Sequence, residues 1–247
     1  MIIITSDDYG KTALATDSII QCFINGRITS ASAMVFMEDS ERAASLAIPA
    51  GIEVGLHINF TTPFSVAKIA SLLRDHHSRV ASYLTKNDLA QIIYNPSLAG
   101  SFDYLFKAQL EEFNRLYGRE PDFYNGHHHM HLCANMLMGK RLPKRAFVRR
   151  TFTIGRGEKD VFTLIYRRLL DVIVDRRFLS TDYFFNIQPL GNIVRLQAIF
   201  DRADNHSIEI EVHPENADEI DFLLSDQYLS LLRSVHVVRF QELAYRS

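Results

Sequence analysis

The sequence predicts an α/β fold built on a parallel sheet, and three observations carry that prediction. Short apolar or β-branched runs alternate with segments of helical period along the chain. No Pro/Gly/Ser-rich linker, repeat or low-complexity stretch breaks the alternation, so residues 1–247 are expected to form one domain. Clusters of Asp and His follow several of the expected strands, and in parallel α/β folds the carboxyl ends of strands gather on one face. About seven strands in 247 residues favour a closed or distorted (β/α) barrel, TIM-barrel-like in plan. Periodicity alone leaves an open doubly wound sheet as the alternative.

The elements follow in order. Residues 2–5 are a β-branched run suited to a central strand. Ser6-Asp7-Asp8-Tyr9-Gly10 turns the chain, and Thr12 is placed to open a helix whose face carries Ile19, Ile20, Phe23 and Ile24. Residues 32–36 read as a second strand, 40–47 as a helix stopped by Pro49 and Gly51, and 52–58 as a third strand. Residues 64–84 show no clean period and are expected to form an elaborated loop that covers a site. Helices are expected over 86–94 and 102–117. The second has an apolar stripe of Leu105, Phe106, Leu110, Phe113 and Leu116, with Gly118 as its C-cap. A histidine-rich strand comes next, then a helix over 136–142, a short strand over 146–149 and a polar loop over 151–159. A long helix over 161–178, a strand over 183–185 and a helix over 193–203 follow. Residues 207–212 alternate Ile208, Ile210 and Val212 with Glu209 and Glu211, a strand pattern. A helix over 226–233, a last strand over 235–240 and a short terminal helix complete the chain.

Composition narrows the function classes. A net charge of −2 gives no basic field for a nucleic-acid backbone. No apolar run approaches the roughly 20 residues needed to span a bilayer. The start of the chain lacks the features of a signal peptide, so a cytoplasmic location is expected. Two cysteines, Cys22 and Cys133, do not make a disulfide framework. Cys133 lies close enough to His131 to be a metal ligand, although a small buried apolar residue is the role expected of it.

The chemistry centres on Asn125-Gly126-His127-His128-His129-Met130-His131, where four of the ten histidines fall in five positions. In an extended segment His127, His129 and His131 would point one way and His128 the other. Such a face suits a divalent metal, and an exposed polar loop is the alternative. Three more clusters end expected strands: Asp7-Asp8, His57-Ile58-Asn59, and His213-Pro214-Glu215. One Asp and two His can hold a divalent ion with positions left open, a second Asp can take a proton from water, and a separate His can protonate a leaving group. Each cluster also has an ordinary explanation: Asp before a helix can cap it, and a lone His says little. Glu209 and Glu211 would orient a histidine if their face points inward. Arg149 and Arg150 would meet a charged substrate or form surface salt bridges. Phe60, Phe64, Tyr83, Tyr183 and Phe184 would stack on a sugar or pack in the core. No G-x-S-x-G, P-loop or G-x-G-x-x-G motif is present.

These residues resemble a known family. Ile4-Thr5-Ser6-Asp7-Asp8-Tyr9-Gly10, Asn25-Gly26-Arg27-Ile28-Thr29-Ser30-Ala31, Gly55-Leu56-His57-Ile58-Asn59, Gly126-His127-His128-His129-Met130-His131 and Glu209-Ile210-Glu211-Val212-His213-Pro214 are similar to motifs of the YdjC-type carbohydrate deacetylases, which include chitooligosaccharide deacetylase. The resemblance implies a metal-dependent hydrolase that removes an N-acetyl group from an amino sugar, oligosaccharide or glycoconjugate. It implies Asp8, His57 and His127 as metal ligands, for magnesium or for zinc or another divalent ion. It implies Asp7 as general base and His213 as general acid. His129, His131, Glu209, Asn59 and Arg149 are expected to bind substrate or support the site, and a homodimer is expected. Two departures stand out: Asn125 where an Asp is expected before the histidine run, and Glu215 where a Gly commonly follows His-Pro. Hydrolysis of another amide or ester, and sugar binding without catalysis, are the competing readings of the same residues.

Overall fold

In the computed structural model, which describes residues 1–86, 88–153 and 161–244, the first strand lies at the centre of the molecule. β1 (Ile2–Tyr9) is buried along its whole length. It pairs on one side with β2 (Ser30–Ala33) and on the other with β6 (Ile208–Val212). With β3 (Glu53–Ile58), β4 (Tyr124–Gly126) and β5 (Tyr183–Asn186) these form one parallel sheet in the order β4-β3-β2-β1-β6-β5.

The sheet curls, and residues 146–153 fill the gap between its two edges. Tyr124 N donates to Phe147 O at 2.8 Å, Val148 N to Leu179 O at 2.8 Å, and Thr153 N to Phe184 O at 2.8 Å. The pairing is isolated bridges rather than a regular strand. The result is the distorted barrel expected from the alternation of elements: six regular parallel strands closed by one irregular segment.

Helices cover the outside. They are α1 (Ala13–Ile24), α2 (Ser40–Ala50), α3 (Ser71–Leu84), α4 (Ala99–Tyr117), α5 (Ala134–Met138), α6 (Val161–Arg177), α7 (Ile193–Arg202), α8 (Ala217–Leu224), α9 (Asp226–Arg233) and α10 (Phe240–Ala244). Thr12 caps α1, its hydroxyl accepting from Ala15 N at 3.1 Å. Gly118 ends α4 at φ 67°, a left-handed conformation that costs a glycine little. The outward residues of the strands, among them Ile2, Ile4, Val54, Leu56, Ile208 and Ile210, pack with the helices in the main apolar core.

The inward face is layered. Its lower end holds Ile3 and Phe123, plugged by Val238, Phe240 and Leu243 from the end of the described chain. Its upper end, at the carboxyl ends of the strands, is polar. Buried Glu53 fixes the plug by accepting from Phe240 N at 2.8 Å and Gln241 N at 3.0 Å.

Several expectations are corrected. Residues 71–84 are helical rather than part of a loop. Leu73, His77, Val80 and Leu84 form the buried stripe, and a histidine inside it masks the apolar period. Between 86 and 94 only Asp88–Gln91 forms a short 3-10 turn, and Asn87 lies outside the described residues. Within the expected loop over 151–159, residues 154–159 also lie outside them. The expected strand over 235–240 is reduced to one bridge, Ile2 to Val237, because Glu53 takes the next backbone donors. The histidine run is not a strand: β4 stops at Gly126, and residues 127–132 make a short turn with positive φ at His128 (53°) and His129 (58°).

One close approach sets the geometry of the barrel interior. A Cβ placed on Gly55 would meet the Phe123 ring at 2.4 Å and its carbonyl oxygen at 2.6 Å. Gly55→Ala is therefore expected to destabilise the protein by about 1–3 kcal/mol. Gly100→Ala, where a Cβ meets nothing within 4 Å, is expected to change stability little. Urea denaturation of the two variants checks both.

Candidate metal centre

The site begins with an irregularity in β1. Ser6 pairs with Ala31 and Tyr9 with Ala33, so β1 carries one extra residue across this interval. Asp8 has φ 66° at this bulge. Adjacent strand residues ordinarily point to opposite faces, and a bulge re-aims one of them. Here it lets Asp7 and Asp8, both buried, contribute to adjoining clusters at the top of the barrel.

Asp8, His57 and His127 bring one potential ligand atom each to within 4.8 Å of the others. Asp8 Oδ1 lies 2.9 Å from His127 Nδ1 and 3.4 Å from His57 Nε2. It is buried and has no hydrogen-bond partner of good geometry. Asp8 Oδ2 is held by Lys11 Nζ at 2.8 Å. A buried, ionised carboxylate oxygen without a hydrogen bond, facing two imidazole nitrogens, is the donor set a divalent cation would satisfy, so these residues fit a metal. Burial opposes the Asp8 charge, but the two histidines more than offset it and hold the carboxyl below the usual range.

Asn125 supports the same cluster. Its amide nitrogen donates to Ser32 Oγ at 2.7 Å and to Asp7 Oδ1 at 3.3 Å, leaving Oδ1 to accept from His57 Nδ1 at 2.8 Å. With the proton placed on Nδ1, His57 Nε2 can present a lone pair toward Asp8 and an ion. The departure from Asp to Asn at 125 thus keeps the orienting hydrogen bond and removes only the charge. Burial opposes protonation of His57, but Asp7 and Asp8 outweigh it and raise its pKa; a cation at Nε2 would act in the opposite direction.

The second cluster joins Asp7, Glu211 and His213, again with ligand atoms within 4.8 Å of one another. Beneath it lies Arg149, whose side chain is wholly buried. Its guanidinium donates to Asp7 through Nη1 at 2.5 Å and Nη2 at 2.9 Å, to Glu209 at 2.7 Å and to Glu211 at 2.9 Å. Its carbon lies 4.7 Å from the centre of the Phe184 ring. Burial alone would raise the pKa of Asp7, but Arg149, with His57 and His213, holds it well below the usual carboxylate range. Glu211 goes the other way: burial and the Asp7 charge raise its pKa well above the usual value. Burial also raises that of Glu209, against Arg149.

The remaining expected residues separate. His129 joins the second cluster, its Nε2 3.7 Å from Glu211 Oε2 and its ring 4.6 Å from Phe152. His131 points away into the protein and bonds Arg149 O at 3.0 Å. Gly126 makes room for it, since a Cβ there would meet His131 Nδ1 at 3.1 Å. Asn59 belongs to neither cluster. Its side chain binds the turn that follows, accepting from Thr61 N and Thr62 N and donating to Thr62 O. Arg149 is a buried support rather than a surface contact for substrate. Arg150 anchors backbone, donating to Thr181 O at 2.8 Å and Asp182 O at 2.6 Å. Phe60 and Phe184 are fully buried, and Cys133 is buried outside both clusters. Lys11 was not singled out from the sequence, and Glu211 was raised only together with Glu209, on the condition that their face points inward. The period-two pattern of β6 already placed Glu211 on the Glu209 face, whereas no sequence signal marked Lys11.

Comparison with known proteins adds three findings. A family model described as YdjC-like protein matches residues 1–245. The carbohydrate deacetylase of Mus musculus is 29% identical over 136 residues, covering 55% of this chain and 44% of the relative. The chitooligosaccharide deacetylase of Proteus mirabilis is 30% identical over 155 residues, covering 59% of this chain and 58% of the relative. The chain therefore spans about half the length of the curated relatives it matches. A crystal structure from Enterococcus faecalis, of a protein named for cellobiose-phosphate cleavage, superposes with a TM-score of 0.65 at 17% identity and covers 98% of both chains; it shares the fold.

Two outcomes follow from the burial of ionisable groups. Arg149→Met leaves the carboxylates beneath the site without their cation and is expected to destabilise the protein by about 3–5 kcal/mol. Arg149→Lys is expected to recover only part of this, because an ammonium cannot make the paired contact to Asp7. His131, lowered to about 3 mainly by burial, supplies a pH dependence. Below its unfolded pKa of about 6.5 the unfolded chain takes up a proton that the folded chain refuses, so stability falls from there toward the folded pKa. Between pH 7 and 4.5, His131→Asn is expected to lose about 2 kcal/mol less than wild type. Urea titrations at the two pH values check this.

Proposed function

The chain belongs to the YdjC-like family, and we propose that it is a divalent-metal-dependent hydrolase that removes the N-acetyl group from an amino sugar, free, in an oligosaccharide or in a glycoconjugate. The observation that carries the reading is the adjacency of two clusters, Asp8-His57-His127 with the donors for an ion and Asp7-Glu211-His213 with groups for proton transfer. The substrate class is drawn from the matched relatives, named as carbohydrate and chitooligosaccharide deacetylases.

When bound to Asp8, His57 and His127, the ion would supply a Lewis acid for the acetamide carbonyl and lower the pKa of water beside it. Two imidazoles and one carboxylate suit zinc or another transition ion better than magnesium, which favours oxygen ligands. Asp7, kept ionised by Arg149, accepts the proton of the attacking water. His213 donates a proton to the departing amine nitrogen as the carbonyl carbon–nitrogen bond breaks. Acetate and the free amino sugar are the products. Arg149 positions Asp7, and Asn125 orients His57. The homodimer and cytoplasmic location expected from the sequence belong to the same proposal. Among the described residues no helix is long and apolar enough to cross a membrane.

The test is acetate release from a panel of N-acetylated amino sugars, with metal-stripped protein resupplied with zinc, manganese, cobalt or magnesium. Release is expected only with metal and is expected to vanish in Asp8→Ala. Asp7→Asn and His213→Ala are each expected to lower turnover by about 10²–10⁴-fold with metal still bound. Wild-type rates in both would overturn the assignment of base and acid.

A further inference from the structure

The turn after β1 carries a cation that the hydrolytic chemistry does not use. Lys11 Nζ lies 2.8 Å from Asp8 Oδ2 and 3.1 Å from Glu215 Oε1, with the Lys11 and Glu215 side chains 26% and 22% exposed and Asp8 buried. Lys11 N also donates to Asp8 O at 3.1 Å, so the backbone of the turn is tied to the same residue. Without the Glu215 carboxylate the ammonium would keep only Asp8 as an acidic partner among the described residues.

We propose that Lys11, clamped by Glu215, is a positioning residue that keeps Asp8 a one-oxygen ligand and weakens the site's hold on its divalent ion. The inference rests on the reading that Asp8, His57 and His127 bind that ion. Two physical effects support it. Asp8 Oδ1 faces the histidines while Oδ2 is occupied by the ammonium, so the carboxylate is not free to present both oxygens on one side. A unit positive charge on the ligand's second oxygen repels an incoming cation, and Glu215 partly cancels that charge. The Lys11–Glu215 contact also joins the turn that follows the proposed metal ligand Asp8 to the loop bearing His213, between the ends of the adjacent strands β1 and β6.

The charges give opposite signs for the two partners, which a merely structural bridge would not. Calorimetric titration of metal-stripped protein with zinc or manganese is expected to show about tenfold tighter binding in Lys11→Met, because a nearby charge is removed in a partly solvated site. Glu215→Gln is expected to bind several-fold more weakly, because the ammonium keeps its charge and loses its counter-charge. Lys11→Arg is expected to stay near wild type, and the Lys11→Met difference is expected to shrink at high salt. Circular dichroism establishes that each variant is folded, and Glu215→Gln carries the test if Lys11→Met is not. Absence of stoichiometric binding in wild type, or its persistence in Asp8→Ala, would overturn the metal-site reading itself. Asp8-dependent binding that is unchanged or weakened in folded Lys11→Met, or unchanged or tightened in Glu215→Gln, would overturn the role of Lys11 alone.

Discussion

The buried guanidinium of Arg149 is the interaction on which the upper half of the barrel depends. It meets Asp7, Glu209 and Glu211, which come from two neighbouring strands, and it comes from the segment that closes the sheet. Three carboxylates cannot share an enclosed, low-dielectric space without a cation or a shared proton. One guanidinium supplies only one positive charge, so the protonation states must divide. The bidentate contact keeps Asp7 ionised, while Glu211 is pushed toward its protonated form. Closure of the barrel and the charge state of the site are therefore one structural fact: the residue that bridges the strands also selects which acid is ionised.

This arrangement explains why the interior is layered. Ile3, Thr5 and Asp7 share the inward face of β1, and Ile3 pairs in register with Glu209 and Thr5 with Glu211. Apolar Ile3 can end the polar zone because Phe123, Val238 and Phe240 fill the space below it. The bulge at Asp8 then adds one more inward carboxylate above Asp7 without lengthening the strand. Two adjoining clusters are packed within one barrel mouth by a single extra residue.

Much of this was legible in the sequence. The alternation of elements indicated a barrel, and the strand ends indicated where the acidic and imidazole groups would meet. Local backbone conformation was harder to read. His128 and His129 adopt positive φ although neither is a glycine, so an extended reading of the run placed His131 beside His127 when it lies underneath. The helix at Ser71–Leu84 was obscured because His77 sits in its buried stripe. Whether Glu209 and Glu211 faced inward was undecidable from alternation, since the pattern does not say which side of the sheet is covered. Helices packed on Ile208 and Ile210 settle that direction. Lys11 follows a turn glycine like many surface lysines, and its contact with the site arises only from where Asp8 and Glu215 fall.

The departures at 125 and 215 also balance in charge. Replacing an expected Asp by Asn125 removes a negative charge beside His57, and Glu215 in place of Gly adds one beside Lys11. The first change lowers the basicity of a candidate ligand, because a neutral amide polarises the imidazole less than a carboxylate would. The second partly neutralises the ammonium on Asp8, which would favour the cation proposed at the other carboxylate oxygen. Asn125 and Glu215 would therefore act on the proposed ligand set with opposite sign. The electrostatics of the centre follow from residues around the ligands as much as from the Asp-His-His set itself.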